Sequence, residues 1–181
     1  GANKAILVSK KGLTECDAWM TAEILTRTIE NSPYDIILTG RAAIDDGLAQ
    51  VPVRLAENLG IPSVSCILKL ELADKKALTI HEIDGGTEIV EVSIPAVFTA
   101  QKGLNEPRYP SVVGIMKAKK MPLSKITLQD LGLADIGLKV KIHTVKHEYP
   151  NVRQKGRIFS GDAQQASKEM VQLLKSETKV V

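Results

Sequence analysis

The patterned part of the chain opens on four consecutive apolar residues, Ala5-Ile6-Leu7-Val8, and residues 4–9 read as a short buried strand. From Asp17 to Glu30 the spacing changes. Ala18, Ala22, Leu25 and Ile29 fall on one helical face, and Asn31-Ser32-Pro33 ends the helix because proline cannot supply the next backbone donor. Asp35 to Thr39 predicts a second strand, whose consecutive apolar residues imply cover on both faces. A loop from Gly40 to Gly47 leads into a helix from about Ala49 to Asn58, closed by Gly60 and Pro62. Val64 to Leu70 predicts a third strand.

This strand–helix–strand–helix–strand order implies a parallel sheet with helices on its faces. The pattern then becomes β-rich and roughly alternating over Ala77–Glu82 and Thr87–Val92, with Asp84-Gly85-Gly86 between the runs as a hairpin signal. Pro95 to Ala100 predicts another buried strand. Residues 103–111, rich in Gly, Asn and Pro, predict a loop, and Val112 to Lys120 about two helical turns. Pro122 to Ile126 predicts a short strand, Thr127 to Gly132 a capped turn and Leu138 to Val145 an extended segment. Asp162 to Ser176 predicts a last helix with Ala166, Met170, Leu173 and Leu174 on one stripe.

Composition narrows the classes. With 181 residues, 44% hydrophobic and 25% charged, the chain suits one globular domain with an extension, not a disordered or coiled-coil protein. Its apolar runs are far shorter than the ~20 residues of a membrane span. The 3% aromatic content gives little material for a base-stacking surface, and a net charge of +3 is too small to imply nucleic acid. Basic residues do gather locally, at Lys117, Lys119 and Lys120 and at Arg153, Lys155 and Arg157. Cys16 and Cys66 stand far apart, without metal spacing, and fit a reducing compartment as small hydrophobes. The sequence starts Gly1-Ala2-Asn3 and runs directly into a strand, so it is expected to begin inside an architecture, without a signal or transit segment.

Two segments are candidates for chemistry. Thr39 to Gln50 lies between the C-terminal end of a buried parallel strand and a helix start, the edge where open α/β sheets bind ligands. The donors of the helix's first turn favour a phosphate there. Asp45 and Asp46 suit such a site if their oxygens accept loop amides and fix the loop's shape. The same spacing also fits a plain strand-to-helix connection with an Asp cap, since neither a G-x-G-x-x-G nor a P-loop pattern is present. Leu104 to Gly114 reads either as an apolar docking knob at Val112-Val113 with the lysines behind it, or as a core-packed loop before a solvated lysine face. His81, His143 and His147 are too scattered for a metal site, and no G-x-S-x-G or acid–base pair stands out, so neither catalytic residues nor a metal are expected. Glu82 and Asp84 flank the hairpin turn and fit turn chemistry.

Three stretches carry a resemblance: LTGRAAIDDGLAQ at 38–50, HEIDGGTEIVEVSIPAVFTA at 81–100 and LNEPRYPSVVGIMKAKK at 104–120. Together they resemble the small (beta) subunit of electron-transfer flavoproteins, along essentially the whole chain. The resemblance implies an α/β, Rossmann-like (adenine-nucleotide-binding, HUP-type) parallel sheet with flanking helices, an added hairpin and a C-terminal extension. Residues 1–126 would be a truncated nucleotide-binding domain carrying hairpin 76–94 and recognition loop 104–114. Residues 127–181 would be the extension and helix that pack on a partner subunit.

It further implies an electron carrier without bond-making catalysis of its own. An alpha subunit would complete a heterodimer and hold most contacts to the redox FAD, while this chain buries an adenine nucleotide, AMP or a second FAD. Gly40, Arg41, Ala42, Ala43, Ile44, Asp45, Asp46, Gly47, Leu48, Ala49, Gln50 and Val51 match the nucleotide-binding segment. Glu82 matches an acid that meets an arginine of the partner's mobile flavin domain. Pro110, Ser111, Val112, Val113, Gly114 and Lys117 match the segment that docks acyl-CoA and related dehydrogenases, with Val112 in the slot of an anchoring leucine. No nucleic acid and no stable membrane insertion are implied, and the location would be bacterial cytoplasm or mitochondrial matrix.

Four departures qualify the match. The family's first strand, first loop and following helices have no counterpart here, which leaves the nucleotide pocket incomplete. His81 stands where arginine is usual, and Val112 is shorter than leucine. Leu48 replaces a hydroxyl that would meet a pyrophosphate in bifurcating members, which favours AMP over a second FAD. An ATP-binding or ATP-using α/β domain of the same superfold is the alternative, with only Arg41 available in the loop to cradle a triphosphate.

Overall fold

A computed structural model describes residues 2–133, 139–153 and 155–178. The chain divides into two compact units, Gly1–His143 and Thr144–Val181.

In the first unit the expected order is present: β1 (Ala5–Ser9), α1 (Ala18–Ile29), β2 (Ile36–Gly40), α2 (Val51–Leu59) and β3 (Ser63–Ala73). These are followed by β4 (Lys76–Ile83), β5 (Gly86–Ser93), β6 (Ala96–Ala100), α3 (Val112–Ala118) and β7 (Leu123–Thr127). The fold is α/β and Rossmann-like, but the strands form two sheets. One is the parallel pair β1–β7 and the other has the order β2-β6-β3-β4-β5. β2, β6 and β3 are parallel, and β3, β4 and β5 make an antiparallel meander.

The meander is larger than the single hairpin read from the sequence. β3 runs on to Ala73 and turns tightly through Asp74-Lys75 into β4, with Asp74 at φ +52°. Asp is one of the few side chains that accepts this left-handed backbone, because its short carboxyl can bond locally. The next turn, Asp84-Gly85, was legible, and Gly85 takes φ +83° there.

Two clusters hold the unit together. Val64, Ile67, Ala77, Ala96 and Phe98 form one, with Ile36, Leu70, Val90, Val92, Ile94 and Leu104 packed around them. β6 is buried at every position from Ala96 to Thr99, as its unbroken apolar run requires. Met20, Ile24 and Leu133 form the second cluster, with Val8, Cys16, Trp19 and Leu128 against it. The two helices meet through Asn58, whose amide nitrogen donates to Glu23 and to Thr26 Oγ1. The turn after β7 is capped by Asp130, which accepts from the Thr127 amide at 2.7 Å and the Thr127 hydroxyl at 2.8 Å. Those two donors hold its carboxyl below the usual range.

The cover expected on both faces of β2 is incomplete. β2 is an edge strand, and Leu38 is 55% exposed; in β1, Ile6 and Leu7 are exposed as well. A run such as Ile36-Ile37-Leu38 signals two apolar neighbours; Ile36 and Ile37, on opposite faces, are each only half-buried among the described residues.

In the second unit α4 (Ala163–Leu173) starts on an Asp162 cap that accepts from the Gln164 amide, and it passes into a π-helical turn, Leu174–Thr178. Residues 144–153 and 155–161 contain no regular element. Of the expected extended segment, 139–143 belongs to the first unit without strand pairing, and Leu138 lies outside the described residues.

Candidate functional site

The register aligns the pieces singled out in the sequence. Gly40 of β2 pairs with Ala100 of β6, Ala100 with Ile67 of β3, Ile67 with His81 of β4, and His81 with Glu88 of β5. One row across the sheet thus joins the start of the 40–50 loop to the strand carrying Glu82. Three strand spacings separate Gly40 from His81, about 14 Å. Because β2 and β6 are parallel, the 41–50 and 101–111 loops leave the same C-terminal edge, where ligands sit in open α/β sheets.

The 41–50 loop is shaped by its own groups. Asp45 accepts from the Asp46 amide and Asp46 from the Leu48 amide, both at 3.0 Å. The Gly47 amide donates back to the Ala43 carbonyl. Gly47 adopts φ +61°, the left-handed region in which a Cβ is costly, and Ala49 accepts the same strain at φ +53°. Gly40 lies outside the left-handed region, and a Cβ there would meet nothing within 4 Å. α2 then begins at Gln50, which gives the helix no side-chain cap, and Pro52 sits in its first turn. Gln50 instead accepts from Arg54 Nη2. The carboxylates are occupied with loop amides, and among the described residues no side chain caps the start of α2.

The 101–111 loop is built differently. The Gln101 amide donates to the Ile67 carbonyl and Leu104 packs on the first cluster. Beyond that root the side chains turn outward: Tyr109 is 98% exposed, Val112 75% and Val113 62%. Ser111 caps α3 by accepting from the Gly114 amide at 3.0 Å, so Val112 stands in the first turn of a short fixed helix. Met116 is exposed beside it, and Lys117, Lys119 and Lys120 pair with no acid among the described residues.

Three arrangements were not displayed by sequence pattern. Cys66 has φ +58° in β3 where the strand shifts register against β6, and a second shift, against β4, follows between Ile67 and Lys69. The Cys66 amide donates to Thr99 Oγ1 at 2.7 Å. A non-glycine residue held in this region costs about 1–3 kcal/mol, and its position depends on strand pairings that sequence pattern does not display. His81 is the second feature. Its Nε2 lies 2.8 Å from Glu88, while Nδ1 is buried without a hydrogen-bond partner among the described residues. The third is the set of bonds around Asp17, treated below. Both cysteines are free and half-buried, and Cys16 belongs to the second cluster. Glu82, next to His81, is exposed on β4 opposite Thr87. No helix among the described residues is long and apolar enough to cross a membrane.

Fold and edge define a Rossmann-like α/β protein with a ligand-type loop and an apolar outward loop on one side of its sheet. Comparison with known proteins makes this specific. Residues 1–131 match the electron transfer flavoprotein domain family. The chain is 39% identical over 182 positions to the electron transfer flavoprotein subunit beta of Bacillus subtilis, spanning all of this chain and 71% of that protein. The subunit beta of Syntrophomonas wolfei is 37% identical over 180 positions, covering 99% of this chain and 68% of the relative. A protein named caffeyl-CoA reductase-Etf complex subunit CarD, from Acetobacterium woodii, is 37% identical over 135 positions, 74% of this chain and 52% of its own length. The chain belongs to the electron transfer flavoprotein family, among its beta subunits.

Proposed function

We propose that the chain carries no bond-making chemistry of its own and works as the nucleotide-holding and docking half of an electron carrier. It holds an adenine nucleotide, AMP in preference to a second FAD, in the loop Gly40 to Val51. It scaffolds an FAD bound mainly by an alpha subunit, on which residues 127–181 pack. It docks acyl-CoA-type or related dehydrogenases through the loop 104–114 with Val112 as anchor, while Glu82 meets a cation of the partner's flavin domain. The FAD supplies the redox chemistry, and the protein supplies distance, orientation and electrostatics.

The observation that carries this reading is the 41–50 loop. Asp45 and Asp46 spend their charge on loop amides, Gly47 turns the backbone, and α2 starts without a side-chain cap. A phosphate meets main-chain donors and the positive end of the helix there. Leu48 brings no hydroxyl for a pyrophosphate, which supports AMP. The exposed Val112 on a capped helical turn, followed by lysines without an acidic partner among the described residues, supports docking. A relative named as part of a caffeyl-CoA reductase complex supports a CoA-ester dehydrogenase as the donor.

The test is to release small molecules from the purified heterodimer and count them by mass spectrometry. One FAD and one AMP per complex is the expected result. One flavin with no adenylate removes the nucleotide assignment.

A further inference from the structure

Asp17 does more than begin a helix. Its Oδ1 accepts from the Met20 amide at 2.8 Å, the ordinary cap of α1. Its second oxygen accepts from the amides of Lys141 and Ile142, more than 120 residues away in sequence. Two further contacts close around the same spot. The Lys141 ammonium lies 4.8 Å from the centroid of the Trp19 ring, and His143 Nδ1 lies 2.8 Å from Glu15, whose carboxylate can only accept. Val140 packs on the cluster of Met20 and Ile24 between them. Residues 139–143 have no strand or helix of their own, so these contacts, and no ladder, hold them.

We propose that Asp17, Lys141 and His143 form a clasp that ties residues 140–143 to the N-terminal end of α1 and fixes the point from which the C-terminal arm departs. Beyond the clasp the chain exposes Val145, Tyr149, Val152 and Ile158 almost completely. Resting on the reading that residues 127–181 pack on the alpha subunit, the clasp gives that arm a fixed root. An arm rooted in place loses less conformational freedom on docking than one that swings from residue 133, and its partner holds it longer.

Asp17→Asn is the discriminating variant. Asparagine still caps α1 through its carbonyl oxygen, but its amide group cannot accept from Lys141 and Ile142. In the full chain, trypsin should cut after Lys139 and Lys141 about tenfold faster than in the parent, since cleavage follows the population of the opened segment. Emission from Trp19, the single tryptophan, should change as the Lys141 cation leaves its ring, while the unfolding midpoint moves little. Cleavage and emission both equal to the parent's overturn the clasp. Should Asp17→Asn disturb α1 itself, Lys141→Ala/His143→Ala leaves the cap intact, removes the side-chain contacts to Trp19 and Glu15, and is read by cleavage after Lys139, which should again be faster than in the parent. A separate measurement decides the underlying reading: deleting residues 144–181 should lower alpha-subunit affinity at least tenfold. Unchanged affinity removes the arm's role, and with it the purpose assigned to the clasp, even where proteolysis shows the contacts to be present.

Discussion

Two loops leave the same end of the β2–β6 ladder and are built in opposite ways. The 41–50 loop folds on itself: its aspartates accept its own amides, and what faces outward is backbone at the start of α2. The 101–111 loop fixes only its root, at Gln101 and Leu104, and faces outward with side chains, Tyr109, Val112 and Val113. The first design suits a small anion, which needs several donors at set positions and little area. The second suits a protein surface, where one apolar anchor among neutral contacts carries most of the energy. A difference in which atoms face solvent therefore separates the two roles proposed for this edge, nucleotide holding and docking.

Substitutions can break that separation, and Val112→Asp should have the largest effect. Val112 is largely exposed, so the unfolding transition stays within about 0.5 kcal/mol. Charging an anchor should cost about 2–4 kcal/mol of docking, a fall of roughly 30- to 1000-fold in the second-order rate of flavin reduction by a dehydrogenase. AMP content should not change. Stopped-flow traces indistinguishable from the parent's would leave the outward loop without its role.

Gly47→Val tests the other loop. A β-branched residue at φ +61° costs at least about 1–2 kcal/mol of local strain. Retained AMP should fall about tenfold while reduction at saturating dehydrogenase persists. Loss of docking with AMP intact would invert the assignment of the two loops.

Replacing Lys117, Lys119 and Lys120 together by Gln should have a smaller effect. Exposed charges mostly steer encounter, so the association rate should drop a few-fold at low salt and match the parent's at high salt. A salt-independent drop would mean that the lysines touch the partner directly.

The smallest effect is a pH dependence. Burial acts to raise the Asp17 pKa, but the amides of Met20, Lys141 and Ile142 and the charge of Arg54 together bring it below the ordinary aspartate value. Its stabilisation is therefore complete above that value and is lost as pH falls through the lower folded-state value. Glu15, Lys141 and His143 face the same spot and shape the local charge. In the parent, Trp19 emission should show a step as Asp17 protonates below the ordinary aspartate range, read by an acid fluorescence titration. Asp17→Asn should show no such step.

Much of the local structure was legible in the sequence. α1 is a helix as expected but buries Met20, Ala22, Ile24 and Thr26, of which only Ala22 lies on the expected stripe; the apolar run of β6, the Asp84-Gly85 turn and the Thr127–Asp130 cap appear where pattern and turn chemistry place them. So do the candidate loops, because Gly47, the paired aspartates and Val112-Val113 are local signals. Less legible was how strands choose neighbours. The split into two sheets, the extension of β3 through Asp74-Lys75 and the bulge at Cys66 all depend on which strand lies alongside.

By itself the amino-acid order determined most of which segments are helix, strand and turn, and it marked the two loops proposed as nucleotide site and docking site. Those properties rest on backbone sterics and periodicity over a few residues. Only the tertiary structure decided that Gly40, Ile67, His81 and Glu88 share one row, and that Asp17 receives amides from residues 141 and 142. Such contacts join residues tens to more than a hundred positions apart, and they are set by which pairings bury Phe98 and its neighbours together, a condition on the whole chain and on no window of it.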